Sequence, residues 1–264
     1  MIDTHAHLDG EEFRDDLTAV IARAKVARIE KIFVPAIDLQ HLDDVVKACK
    51  TYPDMLRPMI GLHPEEVRSD WKELLAQMKQ RLQHNIEDRG EEPRFIAIGE
   101  IGLDFYWSRE YEKEQLLAFE EQVKWSIEFD LPLMIHCRKA QNEMLKIMRK
   151  YEKKLPGGVF HCFTGNAKEA EQFLSFPQFV LGIGGVLTFK SSHLSEVLPI
   201  TVPLNRIVLE TDSPYMAPVP NRGKRNESSF VALVLKQLAT CYQVSEDEVE
   251  KITNDNVRRV FSKR

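Results

Sequence analysis

The sequence predicts an α/β chain of the (β/α)8 barrel class, forming one domain over residues 1–264. Three observations carry this expectation. The 264 residues, 43% of them hydrophobic, supply one large core and sit near the roughly 250 residues of a single barrel. Short apolar runs alternate with longer amphipathic stretches about eight times along the chain. Ionisable residues gather at the C-terminal ends of those runs, the rim on which barrels of this class build their sites.

The runs are the start of MIDTH, then KIFVPA (31–36), RPMIGLH (57–63), RFIAIGE (94–100), LPLMIHC (131–137), GGVFHCF (157–163), QFVLGIGG (178–185) and RIVLETD (206–212). They are short, rich in Ile, Val and Phe, and several follow Gly or Pro, as buried parallel strands do. Between them, residues 11–29 place Phe13, Leu17, Val20, Ile21 and Ala24 at helical spacing, and residues 110–129 repeat this with Tyr111, Leu116, Phe119, Val123 and Ile127. Ser245 three residues before Glu248 is a capping-box signal for a last helix ending near Phe261. The polar stretch from Gln80 to Arg94 reads as a charged helix end and loop without a functional role. An open doubly wound sheet is the competing architecture, but no GxGxxG motif lies between a strand and a helix.

Composition bounds the function. A net charge of −5 argues against coating nucleic acid by bulk electrostatics, yet permits local binding of a phosphodiester where a metal supplies positive charge. Cys49, Cys137, Cys162 and Cys241 match no zinc-finger or CxxC spacing and read as reduced thiols of a cytoplasmic protein. MIDTHAHLDG carries acidic and polar residues where a leader needs a basic and then an apolar region. No apolar segment is long enough to span a membrane.

Six residues form the candidate metal set. His5 and His7 follow the first strand, and residues i and i+2 of an extended segment share a side. Glu100 ends the run FIAIGE with the side-chain parity of Ile96 and Ile98, where a buried carboxylate needs a cation. His136 and His161 each end a strand. Cys137 and Cys162 follow them, face the opposite way by alternation and are poor ligand candidates. Asp212 ends the last strand, which in a barrel neighbours the first. Imidazole mixed with carboxylate suits Zn, Mn or similar ions, with Mg also possible.

These residues belong to a series of motifs: DTHAHLD (3–9), GLHP (61–64), GEIGLDFY (99–106), HCRKA (136–140), FHCFTG (160–165), LETDSPYMAP (209–218) and NRGKRNES (221–228). In this order and over nearly the whole chain, they resemble the TatD family of metal-dependent deoxyribonucleases, a branch of the amidohydrolase-type barrels. The resemblance implies two divalent metals. His5, His7 and Asp212 would hold the first, Glu100 would bridge both, and His136 and His161 would complete the second. His63 and Asp104 would contact substrate or metal-bound water, and Arg138, Arg222 and Lys224 would place positive charge near phosphate. Ser228 stands where the family commonly has proline, and it could cap the helix that follows. Glu210 shares the parity of Asp212 without an assigned role.

Three functions compete on this reading. The first is hydrolysis of DNA by a monomer acting 3′–5′ on single-stranded or frayed ends. There Asp212 and Glu100 would be catalytic, and Phe105, Tyr106, Trp107 or Tyr215 could stack an unpaired base. The second is hydrolysis of a small-molecule ester or amide, or of an aminoacyl ester on tRNA, at the same site. The third is a non-enzymatic binding protein on the same scaffold, disfavoured because every ligand position is present.

Overall fold

The computed structural model describes residues 1–88 and 90–261. The eight expected strands form in order: β1 (Ile2–Asp3), β2 (Lys31–Pro35), β3 (Leu56–Met59), β4 (Ile98–Asp104), β5 (Leu133–Arg138), β6 (Gly158–Phe160), β7 (Phe179–Ile183) and β8 (Ile207–Leu209). Helices separate them: α1 (Leu17–Val26), α2 (Leu39–Thr51), α3 (Trp71–Glu87), α4 (Glu112–Phe129), α5 (Gln141–Tyr151), α6 (Ala167–Leu174) and α7 (Leu194–Thr201). After β8 come α8 (Val231–Tyr242) and α9 (Glu246–Phe261). No helix among the described residues is long and apolar enough to cross a membrane.

The described chain gathers into two compact units. Among the described residues, unit 1 holds Met1–Val34 and residues 160–261, and unit 2 holds Pro35–Val159. In unit 1 the strands pair in parallel. β7 runs beside β8 from Leu181↔Ile207 to Ile183↔Leu209, Thr4 N–H donates to Leu209 at 3.0 Å, and β1 pairs β2 from Ile2↔Lys31. In unit 2, Ala36 N–H donates to Met59 at 3.1 Å and Ile60 N–H to Ala97 at 3.2 Å, while β4 pairs β5 in parallel. Within each unit the paired strands are consecutive in sequence, and in unit 1 β8 lies beside β1, as in the (β/α)8 class.

Local chemistry sets the helix boundaries. Asp38 caps α2 by accepting from His41 N–H at 2.7 Å. Asn166 and Glu169 form a reciprocal capping box on α6, at 3.1 and 2.8 Å. Ser245 accepts from Glu248 N–H at 3.2 Å, as its spacing predicts. Ser228 departs from expectation: it is buried, and no side-chain bond caps the turn it opens. The segment expected as one helix from residue 11 is instead a 3-10 turn at Glu11–Phe13 followed by α1. The polar 80–94 stretch contains the end of α3, and its residue 89 lies outside the described residues. In unit 1, Phe160 stacks on Phe173 at 4.4 Å and meets Phe179 at 5.0 Å. In unit 2, Trp125, Phe119, Phe95 and Met59 are among the fully buried side chains. Such aromatic burial dominates core energetics.

Candidate metal centre

In unit 1 the first group forms where β1 and β8 end side by side. Asp212 N–H donates to the carbonyl of His5 at 2.9 Å. Its backbone turns left-handed there, with φ 56°, a conformation that Asp tolerates better than most residues. His5 and His7 converge, their Nε2 atoms 3.2 Å apart. Asp212 Oδ1 lies 3.8 Å from the first and 3.7 Å from the second. His161 stacks on His5 with ring centroids 4.0 Å apart. His5, His161 and Asp212 each offer a ligand atom within 4.8 Å of the others. The 3.2 Å nitrogen spacing suits two ligands of one four-coordinate ion with bonds of about 2.0–2.1 Å.

Electrostatics agree with that fit. Burial raises the pKa of the Asp212 carboxyl, but the hydrogen bond from His7 and the charges of His161 and His5 outweigh it, so the group sits below the ordinary carboxylate range. Beneath it, fully buried Asp3 accepts from Thr211 N–H at 2.9 Å and from its hydroxyl at 2.7 Å. Burial nevertheless pushes Asp3 up to about 7.

Glu210 joins this group, a residue to which the sequence assigned no role. It is completely buried. Its Oε1 accepts from Cys162 N–H and lies 3.6 Å from His161 Nδ1. Its Oε2 has no hydrogen-bond partner among the described residues. A buried carboxylate oxygen in that state calls for a cation. Gly182 makes room for it, since a Cβ there would lie 2.1 Å from Glu210 Oε2. The available signal was its shared parity with Asp212.

In unit 2 the second group centres on Glu100, only 2% exposed. Its setting differs from expectation. β4 continues through Asp104, so Glu100 lies within the strand rather than at its end. The ladder slips between Ile98 and Ile101, which breaks the simple alternation from Ile98. Gly102 permits the continuation: with φ 150°, a Cβ there would lie 1.8 Å from the carbonyl oxygen of His136.

Glu100 Oε1 lies 3.0 Å from His136 Nδ1 and 3.3 Å from His63 Nε2. The two histidines differ in what they can do. His63 Nδ1 accepts Glu65 N–H at 3.1 Å, so in the neutral ring Nε2 carries the proton. In that tautomer His63 donates at Nε2, and His63, Glu100 and His136 each offer a ligand atom within 4.8 Å of the others. His136 presents Nδ1 to Glu100 while its Nε2 is held by Asp104 Oδ2 at 2.9 Å. Asp104 is 2% exposed and also accepts Tyr106 N–H at 2.8 Å. Burial pushes its carboxyl up, but the bonds from His136 and Tyr106, with the charges of His136 and Arg138, bring it below the ordinary range. A carboxylate on the far nitrogen of a ligating imidazole fixes the ring's orientation. Exposed Glu65 has a carboxylate oxygen within 4.8 Å of ligand atoms of Asp104 and His136.

The cationic candidates are exposed. Arg138 stacks on Tyr106, 3.7 Å from the ring centroid, with Trp107 at 5.3 Å. Arg222 lies over Phe189 at 4.5 Å. Lys224 is exposed in the turn after Asn221. Arg225, part of the same basic run, is engaged by Asp16 at 2.6 and 2.8 Å. The four cysteines form no disulfide.

The chain is similar to known proteins over nearly its whole length. A sequence model described as TatD related DNase matches residues 2–262. The metal-dependent hydrolase YabD of Bacillus subtilis is 34% identical over 261 residues, covering 99% of this chain and 98% of that protein. A 3′-5′ ssDNA/RNA exonuclease TatD from a Rahnella species is 31% identical over 268 residues, with 99% and 98% coverage. The crystal structure of YjjV, a TatD homologue from Escherichia coli, superposes with a TM-score of 0.89 at 29% identity, covering 100% of this chain and 98% of that one. With a family match over residues 2–262 and relatives 31–34% identical over 99% of its length, the chain belongs to the TatD family of metal-dependent hydrolases.

Proposed function

We propose that this metal-dependent hydrolase cleaves phosphodiester bonds of DNA, removing nucleotides 3′–5′ from single-stranded or frayed ends. One observation carries the reading: each unit holds its own histidine–carboxylate group, His5, His7, His161 and Asp212 in the first and Glu100 and His136 in the second. One divalent ion, Zn, Mn or Mg, is assigned to each. Relatives at this level of identity named as 3′-5′ ssDNA/RNA exonucleases support the substrate class.

Bound divalent ions polarise phosphoryl oxygens and make water acidic enough to attack at neutral pH. The chain's own groups supply the rest. Asp212, kept ionised by its imidazole neighbours, accepts the proton of the attacking water. The water oxygen bonds to phosphorus as the sugar oxygen departs with the electron pair of the broken P–O bond. His63 offers its Nε2 proton to a phosphate oxygen. Arg138, Arg222 and Lys224 add positive charge, and Asp104 orients His136.

End-labelled single- and double-stranded DNA, incubated with Mg, Mn, Zn or EDTA beside Glu100→Ala, tests the proposal. Stepwise shortening that requires metal and disappears in the variant is expected. No cleavage with any metal by a protein that binds the ions would overturn it.

A further inference from the structure

Beside the second group lies a cleft of about 250 Å³ whose wall includes Asp104, Glu65, Arg68, Trp107, Tyr111 and Gln115. Asp104 thus belongs both to the cleft and to the group around His136, and the wall sets Trp107 and Tyr111 with Arg68 among the carboxylates of Glu65 and Glu110. Trp107 is 69% exposed and Tyr106 49% exposed, and their rings meet edge to face at 4.8 Å. Trp71 and Trp125, by contrast, are buried. Exposing the largest apolar side chain beside a polar cleft forgoes the burial that the other two tryptophans achieve.

Charge and shape select the occupant. Arg138 lies over Tyr106 and near Trp107, and Arg68 lies 5.7 Å from the Tyr111 ring. Two guanidiniums among three aromatic rings make a surface for a flat π-system attached to an anionic backbone. The sequence places this surface at strand ends: Tyr106 follows Asp104 by two residues, and Arg138 follows His136 by two. A phosphate at the second group therefore has a stacking platform within reach of its own nucleoside.

We propose that Trp107, with Tyr111 and Arg68, forms a subsite for one unpaired nucleobase next to the scissile phosphate. The inference rests on the nuclease reading above and specifies the substrate: a duplex keeps its bases stacked inside, so the subsite selects single-stranded ends. Recognition by stacking is tolerant of base identity.

The test measures binding without turnover. Hydrolysis-resistant phosphorothioate strands of thymidines, and strands of equal length carrying abasic sites, are titrated with magnesium present. Fluorescence anisotropy gives affinity, and tryptophan emission reports on the exposed Trp107. Wild type should prefer the base-bearing strand by roughly 5- to 150-fold, the range of a single stacking contact. Trp107→Ala should bring the two strands within about twofold, and Trp107→Phe should retain most of the preference. Equal binding of both strands by wild type would overturn the subsite, as would a preference that survives Trp107→Ala or a failure to bind either strand. Because no cleavage is measured, a subsite that fails here leaves metal-dependent cleavage standing. A nuclease reading that fails does so in the cleavage assay.

Discussion

His136 Nε2 lies 2.9 Å from Oδ2 of Asp104, a buried carboxylate that holds the ring so that Nδ1 faces Glu100. If Asp104 acts by orienting that imidazole, Asp104→Asn should weaken one metal site by about 10- to 100-fold, leaving the other near its wild-type affinity. Calorimetric titration of the metal-free protein reads both sites. Two unchanged affinities would show that Asp104 acts elsewhere.

His63 and His136 flank the same carboxylate with different ring contacts: His63 Nδ1 meets Glu65 N–H and His136 Nε2 meets Asp104. His63→Ala should retain the wild-type number of bound ions yet lose about 10²- to 10³-fold in kcat, as expected for a lost hydrogen-bond donor to the reacting phosphate. His136→Ala should lose an ion as well. Metal analysis beside steady-state kinetics separates them, and loss of an ion from His63→Ala would make His63 a ligand.

Asp212→Asn removes the proposed proton acceptor while keeping its shape. Because Asp212 also belongs to the first ion's group, a fall in kcat of about 10²- to 10⁴-fold is expected with the wild-type number of bound ions retained by metal analysis and little change in KM. A variant that loses substrate affinity but keeps kcat would show that Asp212 does not take the proton.

Arg23 grips Glu227 through three bonds, Nε to Oε1 at 2.8 Å and to Oε2 at 2.9 Å and a terminal nitrogen to Oε2 at 2.6 Å. This ties α1 to the loop before α8. The Glu227 side chain is 8% exposed, but Arg23 is 46% exposed, so screening reduces the pair. Glu227→Gln should cost about 1–2 kcal/mol in denaturant unfolding. Burial raises the Glu227 pKa, but the bonds from Arg23 and Ser229 and the charges of Arg23 and Arg225 outweigh it, leaving it below 4.5 when folded. Its stabilisation is therefore present above that ordinary value and fades as pH falls through the lower folded one. The variant should lack this acid-side loss, and a variant as pH-sensitive as wild type would contradict the assignment.

Gly102→Ala forces a Cβ against the His136 carbonyl oxygen at a φ that L-residues avoid. A loss of about 1–3 kcal/mol is expected, together with weaker metal binding at the second group. Thermal unfolding checks the first and calorimetry the second. A variant as stable as wild type would place the β4–β5 approach among the adjustable parts of the fold.

Much of this protein was legible from residue order alone. Strand periodicity, short apolar runs and flanking helices are local properties, and the eight runs became eight strands with ends shifted by a few residues. His5 and His7 share a side because an extended backbone leaves them no alternative, and the two rings do converge. Other relationships depend on atoms far apart in sequence. The slip between Ile98 and Ile101 decides where Glu100 points. A backbone N–H from Glu65 sets the proton of His63, and Asp104 claims the far nitrogen of His136. Glu210 could be seen to share parity with Asp212, but only packing against Gly182 and His161 gives it a partner. Residue types and their periodicity determined which chemistry was available. Which nitrogen faces which oxygen is set by contacts between strands, and was decided only when the chain folded.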